Sequence, residues 1–343
     1  MKKNALLILA LITVAALIIA LEPKRGTNQE RVEPLTQKAG TISPELTGIS
    51  HYLNTENITI GELVGKKIIL VDIWTYSCIN CQRTLPYITA WHEKYKDQGL
   101  EIIGVHSPEF EFEKKLENVK RAIEKFGIRY PVVLDNDHET WTAFRNSYWP
   151  RKYLIDIDGY IAYDHIGEGG YEETENRIRE LLKERAERLG LAKEMPGMAN
   201  ITPIPLDFGR INTPEIYLGY EFTRGNFGNP EGLSAETQRD YSLPKRFLPN
   251  NVYLAGTWYS NDDHVRLVSD NGRIVLPYDA KTVNIVASGP ANVEVFVDDE
   301  KLSDVKITEE DLYTVVDGDS YGKHKVELRV SGSGFKLYTF TFG

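Results

Sequence analysis

The chain has 343 residues, of which 41% are hydrophobic and 26% are charged. This composition is ordinary for a globular protein, and the length allows two domains. The formal net charge of −10 argues against nucleic-acid binding, which requires a basic surface. Because the chain has only two cysteines, it can form neither a framework of structural disulfides nor a zinc site with four cysteine ligands.

An N-terminal membrane segment is the first predicted element. Two lysines precede an apolar run from Ala5 to Leu21, which as a helix is about 26 Å long, close to the roughly 30 Å hydrocarbon core. Lysines before the run favour an orientation that leaves the rest of the chain outside the cytoplasm. We therefore predict a transmembrane anchor or signal over residues 1–24 and a polar linker over residues 25–42. A cleaved signal peptide, the alternative to an uncleaved anchor, places the soluble part in the same compartment.

An α/β domain is predicted over residues 43–190. The run Lys67–Trp74 has the apolar composition of a buried strand, although Asp72 interrupts it, and the run Gln82–Lys96 has helical spacing. The order of strands and helices is typical of an α/β fold. The other predicted elements are strands at Leu100–His106, Tyr130–Leu134, Lys152–Ile157 and Tyr160–Ile166, and helices at Glu111–Phe126, Glu139–Asn146 and Glu172–Leu189.

Cys78 and Cys81 stand between the first predicted strand and the helix that follows it. A C-x-x-C pair in this position is typical of a redox dithiol. Cys78 lies at the start of the helix, where unpaired N–H groups and the helix dipole stabilise a thiolate. Cys81, one turn later, can attack a mixed disulfide, so the spacing predicts an attacking and a resolving thiol. A purely structural disulfide, the alternative, would close a loop too short to stabilise the fold much.

An all-β domain, a sandwich, is predicted over residues 191–343. The segment Met195–Pro214 is rich in Pro, Gly and Asn, as inter-domain connections often are. Short alternating strands without helices follow, which favours a β-sandwich. The predicted strands are Asn251–Tyr259, His264–Ser269, Arg273–Leu276, Thr282–Ser288, Val293–Val297, Leu312–Val316, Lys323–Ser331 and Phe335–Phe342.

The segments around the cysteines resemble the thioredoxin superfamily, because Asp72 precedes Cys78 by six residues and Pro86 follows Cys81 by five. The resemblance implies that Asp72 assists proton transfer from Cys81; a purely structural carboxylate is the alternative. It also implies a cis peptide bond between Trp149 and Pro150 that faces the dithiol and contacts the substrate. An ordinary trans-proline at a strand start is the alternative.

Longer segments resemble the extracytoplasmic TlpA-like branch, and most closely the soluble part of DipZ-type cytochrome c biogenesis proteins. They include Trp74–Cys81, Gly104–Phe110, Tyr148–Asp156 and Thr213–Tyr220. The resemblance implies a membrane-anchored thiol–disulfide oxidoreductase whose only redox group is the Cys78–Cys81 disulfide, without a cofactor. Its implied partners are disulfide-bearing extracytoplasmic proteins and a CcdA-like membrane electron donor. We expect a reductase, with an oxidase or isomerase as the alternative, and a substrate surface formed by Trp149, Pro150, Tyr76, Ile79 and Asn80.

The C-terminal domain of that family is similar in fold to carbohydrate-binding modules. Trp258 and Tyr259, together with Tyr278 and Tyr313, are therefore candidates for stacking on a carbohydrate. The run Asn261–His264 could offer oxygen ligands to calcium, although no cluster in the chain has convincing metal-ligand spacing. The alternatives are aromatic residues of the core, a solvated turn, and a domain that docks proteins or acts as a spacer.

Overall fold

The computed structural model describes residues 40–191, 194–202 and 206–343. The predicted anchor over residues 1–24 and most of the predicted linker lie outside these residues. Thr41–Gly343 form one compact unit. Among the described residues, no helix is both long enough and apolar enough to cross a membrane.

The first part of the chain forms a mixed seven-stranded sheet flanked by helices. Its strands occur in the order β1-β7-β6-β3-β4-β5-β2. β3 pairs in parallel with β4 and β4 with β5, whereas β6 and β7 are antiparallel. The strands are β1 (Thr41–Ile42), β2 (His51–Leu53), β3 (Ile68–Trp74), β4 (Leu100–His106), β5 (Val132–Leu134), β6 (Arg151–Ile155) and β7 (Tyr160–Ile166). The helices are α1 (Ile60–Leu63), α2 (Ile79–Tyr95), α3 (Leu116–Phe126), α4 (Glu139–Ala143) and α5 (Tyr171–Arg188), with 3₁₀ turns at Lys96–Gln98 and Glu111–Lys114.

The central strand β3 is buried along its whole length because helices cover both faces of the sheet. Its side chains alternate between two apolar clusters, as the period of a strand requires. Leu70 and Trp74 pack on the cluster that contains α2, whereas Val71 and Ile73 pack on the opposite cluster. Asp72 therefore points to the face of the sheet that α2 covers.

The predicted α/β elements are present, with small shifts of their ends. The predicted helix Glu111–Phe126 is divided into the 3₁₀ turn and α3, because the chain is extended at Lys115. The short elements β1, β2 and α1 have no counterpart in the prediction. Two to four residues are too few to show a periodic pattern.

The second part of the chain is an antiparallel sheet of nine strands. Their order is β14-β13-β15-β12-β10-β11-β16-β8, and β9 pairs with β10. The strands are β8 (Ile216–Tyr217), β9 (Thr237–Tyr241), β10 (Tyr253–Ser260), β11 (Val265–Leu267), β12 (Asn271–Ser288), β13 (Ala291–Val297), β14 (Glu300–Ile307), β15 (Asp311–Ser331) and β16 (Lys336–Phe342), preceded by a 3₁₀ turn at Phe208–Arg210.

The second part of the chain is all-β, as predicted. Its strands, however, form one hydrogen-bonded network rather than the two separate sheets of the predicted sandwich. β12 pairs with β10 in its first half and with β16 in its second half, which closes the path of strands. The register of β12 against β15 shifts between Ala280 and Thr282, but β12 continues as one long strand through this irregularity. The predicted strands Arg273–Leu276 and Thr282–Ser288 are therefore parts of β12. In the same way, Leu312–Val316 and Lys323–Ser331 are parts of β15.

The two sheets are joined by a shared apolar cluster. Phe110 and Phe112, which follow β4, pack against Tyr338 of β16 with ring centroids 5.1 and 4.8 Å apart. Tyr217 of β8 belongs to the same cluster as the side chains under α2. The second sheet thus borders the loops that surround the dithiol.

Candidate active site

Cys78 and Cys81 occupy the start of α2. Cys78 is the N-cap residue, with extended backbone angles, and it is half-buried, whereas Cys81 lies in the first turn and is only 1% exposed. Burial raises the pKa of the Cys81 thiol well above its ordinary value, and the nearby Cys78 adds to the rise. The two thiols are therefore unequal: one is accessible, and the other is enclosed and holds its proton.

Asp72 lies in the interior on the same side of the sheet as Cys81. It is 1% exposed, and neither carboxylate oxygen has a hydrogen-bond partner in the part of the chain that the structure describes. Burial raises the pKa of Asp72 to about 6, and the charge of Lys152 opposes that rise. Asp72 and Cys81 interact electrostatically. A buried carboxylate with free lone pairs beside a protonated thiol can accept that proton.

Lys152 is a residue of this site that the sequence analysis missed. It lies directly opposite Asp72 in the pairing of β3 with β6, and its side chain is fully buried. Its Nζ donates a hydrogen bond to the carbonyl oxygen of Gly167, 3.0 Å away. Burial lowers the pKa of Lys152, while Asp72 and Cys81 oppose that change. The available signal was a lysine directly before the apolar residues Tyr153, Leu154 and Ile155.

Trp149 and Pro150 precede β6 and are joined by a cis peptide bond, as the family resemblance implies. The indole N–H of Trp149 donates to the carbonyl oxygen of Ser107 at 2.9 Å, and its ring lies 4.2 Å from that of Trp141. Trp149 is half-buried, so part of its ring remains accessible. The predicted contact of Trp149 and Pro150 with a substrate stays a prediction.

Tyr76, Ile79 and Asn80 do not share one exposed surface. Tyr76 is 3% exposed, its ring stacks on His106, and its hydroxyl donates to the carbonyl oxygen of Glu310 in the second sheet at 3.2 Å. The prediction of a substrate contact for Tyr76 is therefore wrong, because the second sheet covers this side chain. Ile79 and Asn80 are half-buried and line a cavity of about 240 Å³ whose other wall belongs to the second part of the chain.

The comparisons with known proteins agree with this geometry. Residues 38–182 match the family described as Redoxin, and residues 213–343 match the family described as Thioredoxin like C-terminal domain. Thiol-disulfide oxidoreductase YkuV of Bacillus subtilis is 33% identical over 141 residues, which are 41% of this chain and 94% of YkuV. The chain belongs to the thioredoxin-like family of thiol–disulfide oxidoreductases.

Two further similarities place this thioredoxin-like protein among its relatives. Protein DipZ of Mycobacterium bovis is 36% identical over 311 residues, which cover 90% of this chain. The chain spans 43% of the length of that relative. A solution structure of a thioredoxin-like protein in the oxidised form is 31% identical and covers 43% of this chain and 98% of its own, with a TM-score of 0.40.

Glu113 is a second buried acid at the thioredoxin-like site that the sequence analysis missed. It is 0% exposed and lies in the 3₁₀ turn before α3. Its Oε1 accepts hydrogen bonds from the hydroxyl and the N–H of Ser77, at 2.6 and 3.3 Å. Its Oε2 accepts from the N–H groups of Glu109 and Phe110, at 2.6 and 3.0 Å. Burial raises the pKa of Glu113, and these donors oppose the rise.

A cluster of polar side chains connects the loop after β4 to the second sheet. The hydroxyl of Tyr217 lies 2.6 Å from Oε1 of Glu109 and 3.0 Å from Oε2 of Glu215. Burial and the charge of Glu215 raise the pKa of Glu109 to about 8, while Arg224 opposes the rise. Burial of its carboxyl group raises the pKa of Glu215 as well, and Arg224 opposes that rise.

The second sheet does not present the predicted aromatic surface. Trp258 is fully buried in the core, and its indole N–H donates to the carbonyl oxygen of Ala255 at 3.0 Å. The stacking prediction for Trp258 is wrong, because its ring faces are covered. Tyr259 is half-buried, its hydroxyl donates to Glu236 at 2.7 Å, and Arg266 lies 5.2 Å from its ring centre. Tyr278 is also buried.

The run that could offer calcium ligands forms a local cluster. The side chains of Asp262, Asp263 and His264 have ligand atoms within 4.8 Å of one another. His264 and Asp263 contact each other through Nδ1 and Oδ1, so part of the cluster is already engaged. This arrangement alone indicates no metal, since acidic groups in turns are commonly solvated.

Proposed function

We propose that this chain is a membrane-anchored, extracytoplasmic reductase of protein disulfides, of the type that serves cytochrome c maturation. The observation that carries the proposal is the pairing of an accessible Cys78 with a buried Cys81 beside the carboxylate of Asp72. A dithiol that reduces a substrate must release a proton from its second thiol. A buried base beside that thiol supplies this step.

The proposed reaction has two steps. The thiolate of Cys78 attacks one sulfur of a substrate disulfide, forms a mixed disulfide and expels the first substrate thiolate. Asp72 then takes the proton of Cys81, and the Cys81 thiolate attacks Sγ of Cys78. The second substrate thiolate leaves, and the Cys78–Cys81 disulfide remains, so two electrons have passed to the substrate. A CcdA-like membrane protein is the proposed donor of the two electrons that restore the dithiol.

The substrate is proposed to lie along Trp149 and Pro150, with the cavity beside Ile79 and Asn80 as a neighbouring contact. Half-buried Trp149 packs against the same apolar cluster as Cys78 and Ile79, and part of its ring remains accessible to a substrate. Disulfide-bearing extracytoplasmic proteins are the proposed class of substrate. The part of the second sheet that lines the cavity would then contribute to their selection.

The direction of electron flow is tested by the reduction potential of the Cys78–Cys81 pair, measured against glutathione. A value well below about −200 mV supports the reductase, and a value near about −120 mV supports the oxidase alternative and overturns the proposal. Isomerase activity is measured separately, by refolding of a scrambled disulfide substrate. The reductase proposal expects the chain to be slower in that assay than in reduction of insulin.

The location is tested through the two cysteines of the chain. The Cys81→Ser variant carries Cys78 as its only thiol. After a reductant that does not cross membranes has released the mixed disulfides of this variant, a maleimide that does not cross membranes should label Cys78 in intact cells to the same extent as in lysed cells. The membrane fraction should contain the labelled protein. Labelling only after lysis would overturn the extracytoplasmic location, and a labelled protein released from the membrane would overturn the anchor.

Carbohydrate binding by the second sheet has one supporting observation. A cavity of about 590 Å³ is lined by Pro249, Pro277 and Tyr278 together with polar residues, among them Asn250, Asp298 and His324. Polar groups in a concave site suit the hydroxyls of a sugar. Binding of the full chain to a glycan array tests this second function, with His324→Ala expected to weaken any signal. No binding by a folded protein would overturn it.

A further inference from the structure

Glu113 lies where it can act on the dithiol without touching the substrate. It is fully buried, and it is bound to Ser77, the residue that immediately precedes Cys78. Cys78 begins α2, so the backbone of Ser77 determines how the nucleophile enters the helix. The hydroxyl of Ser77 is 2.6 Å from Oε1 of Glu113, which is a typical distance for a hydroxyl donor to a carboxylate.

The hydrogen bonds of Glu113 favour a carboxylate. Both oxygens accept two hydrogen bonds each, from N–H groups and one hydroxyl. A proton or a glutamine NH₂ group in the place of Oε2 would face two N–H donors, and in the place of Oε1 only the hydroxyl of Ser77 could accept from it. The partners are neutral, so they hold the negative charge in place without cancelling it. A buried charge that is not neutralised acts over a longer range than an exposed one.

We infer that Glu113 is a positioning residue of the dithiol, which fixes the entry of Cys78 into α2 and places a fixed negative charge beside it. That charge opposes the helix dipole at the N-terminus of α2. It therefore disfavours the thiolate of Cys78 and favours the Cys78–Cys81 disulfide. A dithiol whose reduced form is less stable has a lower reduction potential and is a stronger reductant.

The test is the equilibrium of the full chain with glutathione: protein disulfide and two glutathione thiols give protein dithiol and glutathione disulfide. Glu113→Gln should favour the dithiol at least tenfold, which corresponds to a rise of about 30 mV in the reduction potential. Glu111→Gln is the matched control, because Glu111 lies in the same 3₁₀ turn but is exposed and pairs with Lys114 at 2.7 Å. Its potential should equal that of the parent.

Three outcomes overturn the inference: a folded Glu113→Gln protein with the potential of the parent, a Glu111→Gln protein with the same rise as Glu113→Gln, or a lower potential in Glu113→Gln. Where Glu113→Gln lacks a cooperative melting transition, Ser77→Ala replaces it. This variant removes the 2.6 Å contact without changing charge. It should raise the reduction potential, and the equilibrium constant with glutathione should change less than tenfold. An unchanged potential in Ser77→Ala then overturns the inference.

The role of Glu113 is tested by differences in reduction potential between variants, whereas the proposed reductase function, on which this role rests, is tested by the reduction potential of the parent. A parent potential near about −120 mV would overturn the proposed direction of electron flow. The role of Glu113 would still be tested by the difference between the parent and Glu113→Gln. A low parent potential with no difference between the variants would remove the role of Glu113 alone. The two failures are therefore distinguishable in one set of measurements.

Discussion

Asp72 and Lys152 are cross-strand partners in the interior of the first sheet, and their side chains are 1% and 0% exposed. A single buried charge is strongly unfavourable, whereas a pair of opposite charges offsets part of the cost of removing each from water. The pair also keeps part of Asp72 in the carboxylate form that can take a proton from Cys81. The two residues thus connect the packing of the sheet to the chemistry of the dithiol.

The unequal burial of the two thiols predicts opposite effects of the two serine variants. Cys78→Ser should abolish reduction of insulin, because the buried Cys81 cannot reach a substrate disulfide. Cys81→Ser should accumulate mixed disulfides with substrates, because nothing resolves them. Mass spectrometry of the trapped species identifies the partners. Insulin reduction by Cys78→Ser at the rate of the parent would contradict the assignment of the nucleophile.

The carboxylate of Asp72 predicts the pH dependence of the resolving step. Its pKa is about 6, so the fraction that can accept a proton falls as the pH drops below that value. The release of substrate from the mixed disulfide should slow over the same range. Asp72→Asn should slow release about 100-fold at pH 7, the lower end of the usual effect of a general base, and should flatten this part of the pH profile. A parent profile that is flat between pH 5 and pH 7 would contradict the role.

Lys152→Met should affect both stability and pH dependence. The loss of one member of a buried pair leaves the other uncompensated, which costs about 3–5 kcal/mol of the free energy of unfolding. The pKa of Asp72 should rise further, because the charge that opposes its rise is gone, and the pH profile of release should move upwards. Urea unfolding and rapid-mixing kinetics measure the two effects.

The double variant Asp72→Asn/Lys152→Met separates charge from packing. It should recover part of the stability lost in Lys152→Met, because neither charge remains buried. Lys120→Met is the control, since Lys120 forms only a surface pair with Glu117 at 2.8 Å and should change stability by less than about 1 kcal/mol. Equal losses in Lys152→Met and in the double variant would show that the two charges do not interact.

The sequence was sufficient to predict the dithiol helix and the place of Asp72, because both follow from local patterns. The apolar period of β3 sets which face each side chain occupies, and the cysteines stand at the start of the next helix. The role of Lys152 depends on the pairing of β3 with β6, which places it opposite Asp72, a residue 80 positions earlier in the chain. No local pattern records which strands become neighbours.

The contacts of Glu113 and Tyr76 were also beyond local reasoning. Glu113 meets Ser77 across 36 positions of sequence, and Tyr76 meets the backbone of Glu310 across 234. The long strands β12 and β15 were predicted as separate pieces, because turn-forming residues lie near their irregular points. The burial of Trp258 follows from the closed path of strands, which the sequence does not show.

The carboxyl of Glu109 predicts that alkaline pH weakens the contact between the two sheets. In the unfolded chain its pKa is near the ordinary 4.5, whereas in the folded protein it is about 8. Its contribution to stability is therefore complete below pH 4.5 and is lost as the pH rises towards 8, with a slope of at most about 1.4 kcal/mol per pH unit for one proton.

Glu109→Gln should remove this slope, because glutamine stays neutral and can still accept a hydrogen bond from Tyr217. Unfolding by urea at pH 5, 6.5 and 8 measures the difference between parent and variant. The variant should match the parent at pH 5 and exceed its stability at pH 8. Glu215→Gln tests the charge that adds to the raised pKa of Glu109: the slope should remain, but it should end at a lower pH than in the parent. A parent and a Glu109→Gln protein with parallel stability curves over this range would show that Glu109 titrates normally.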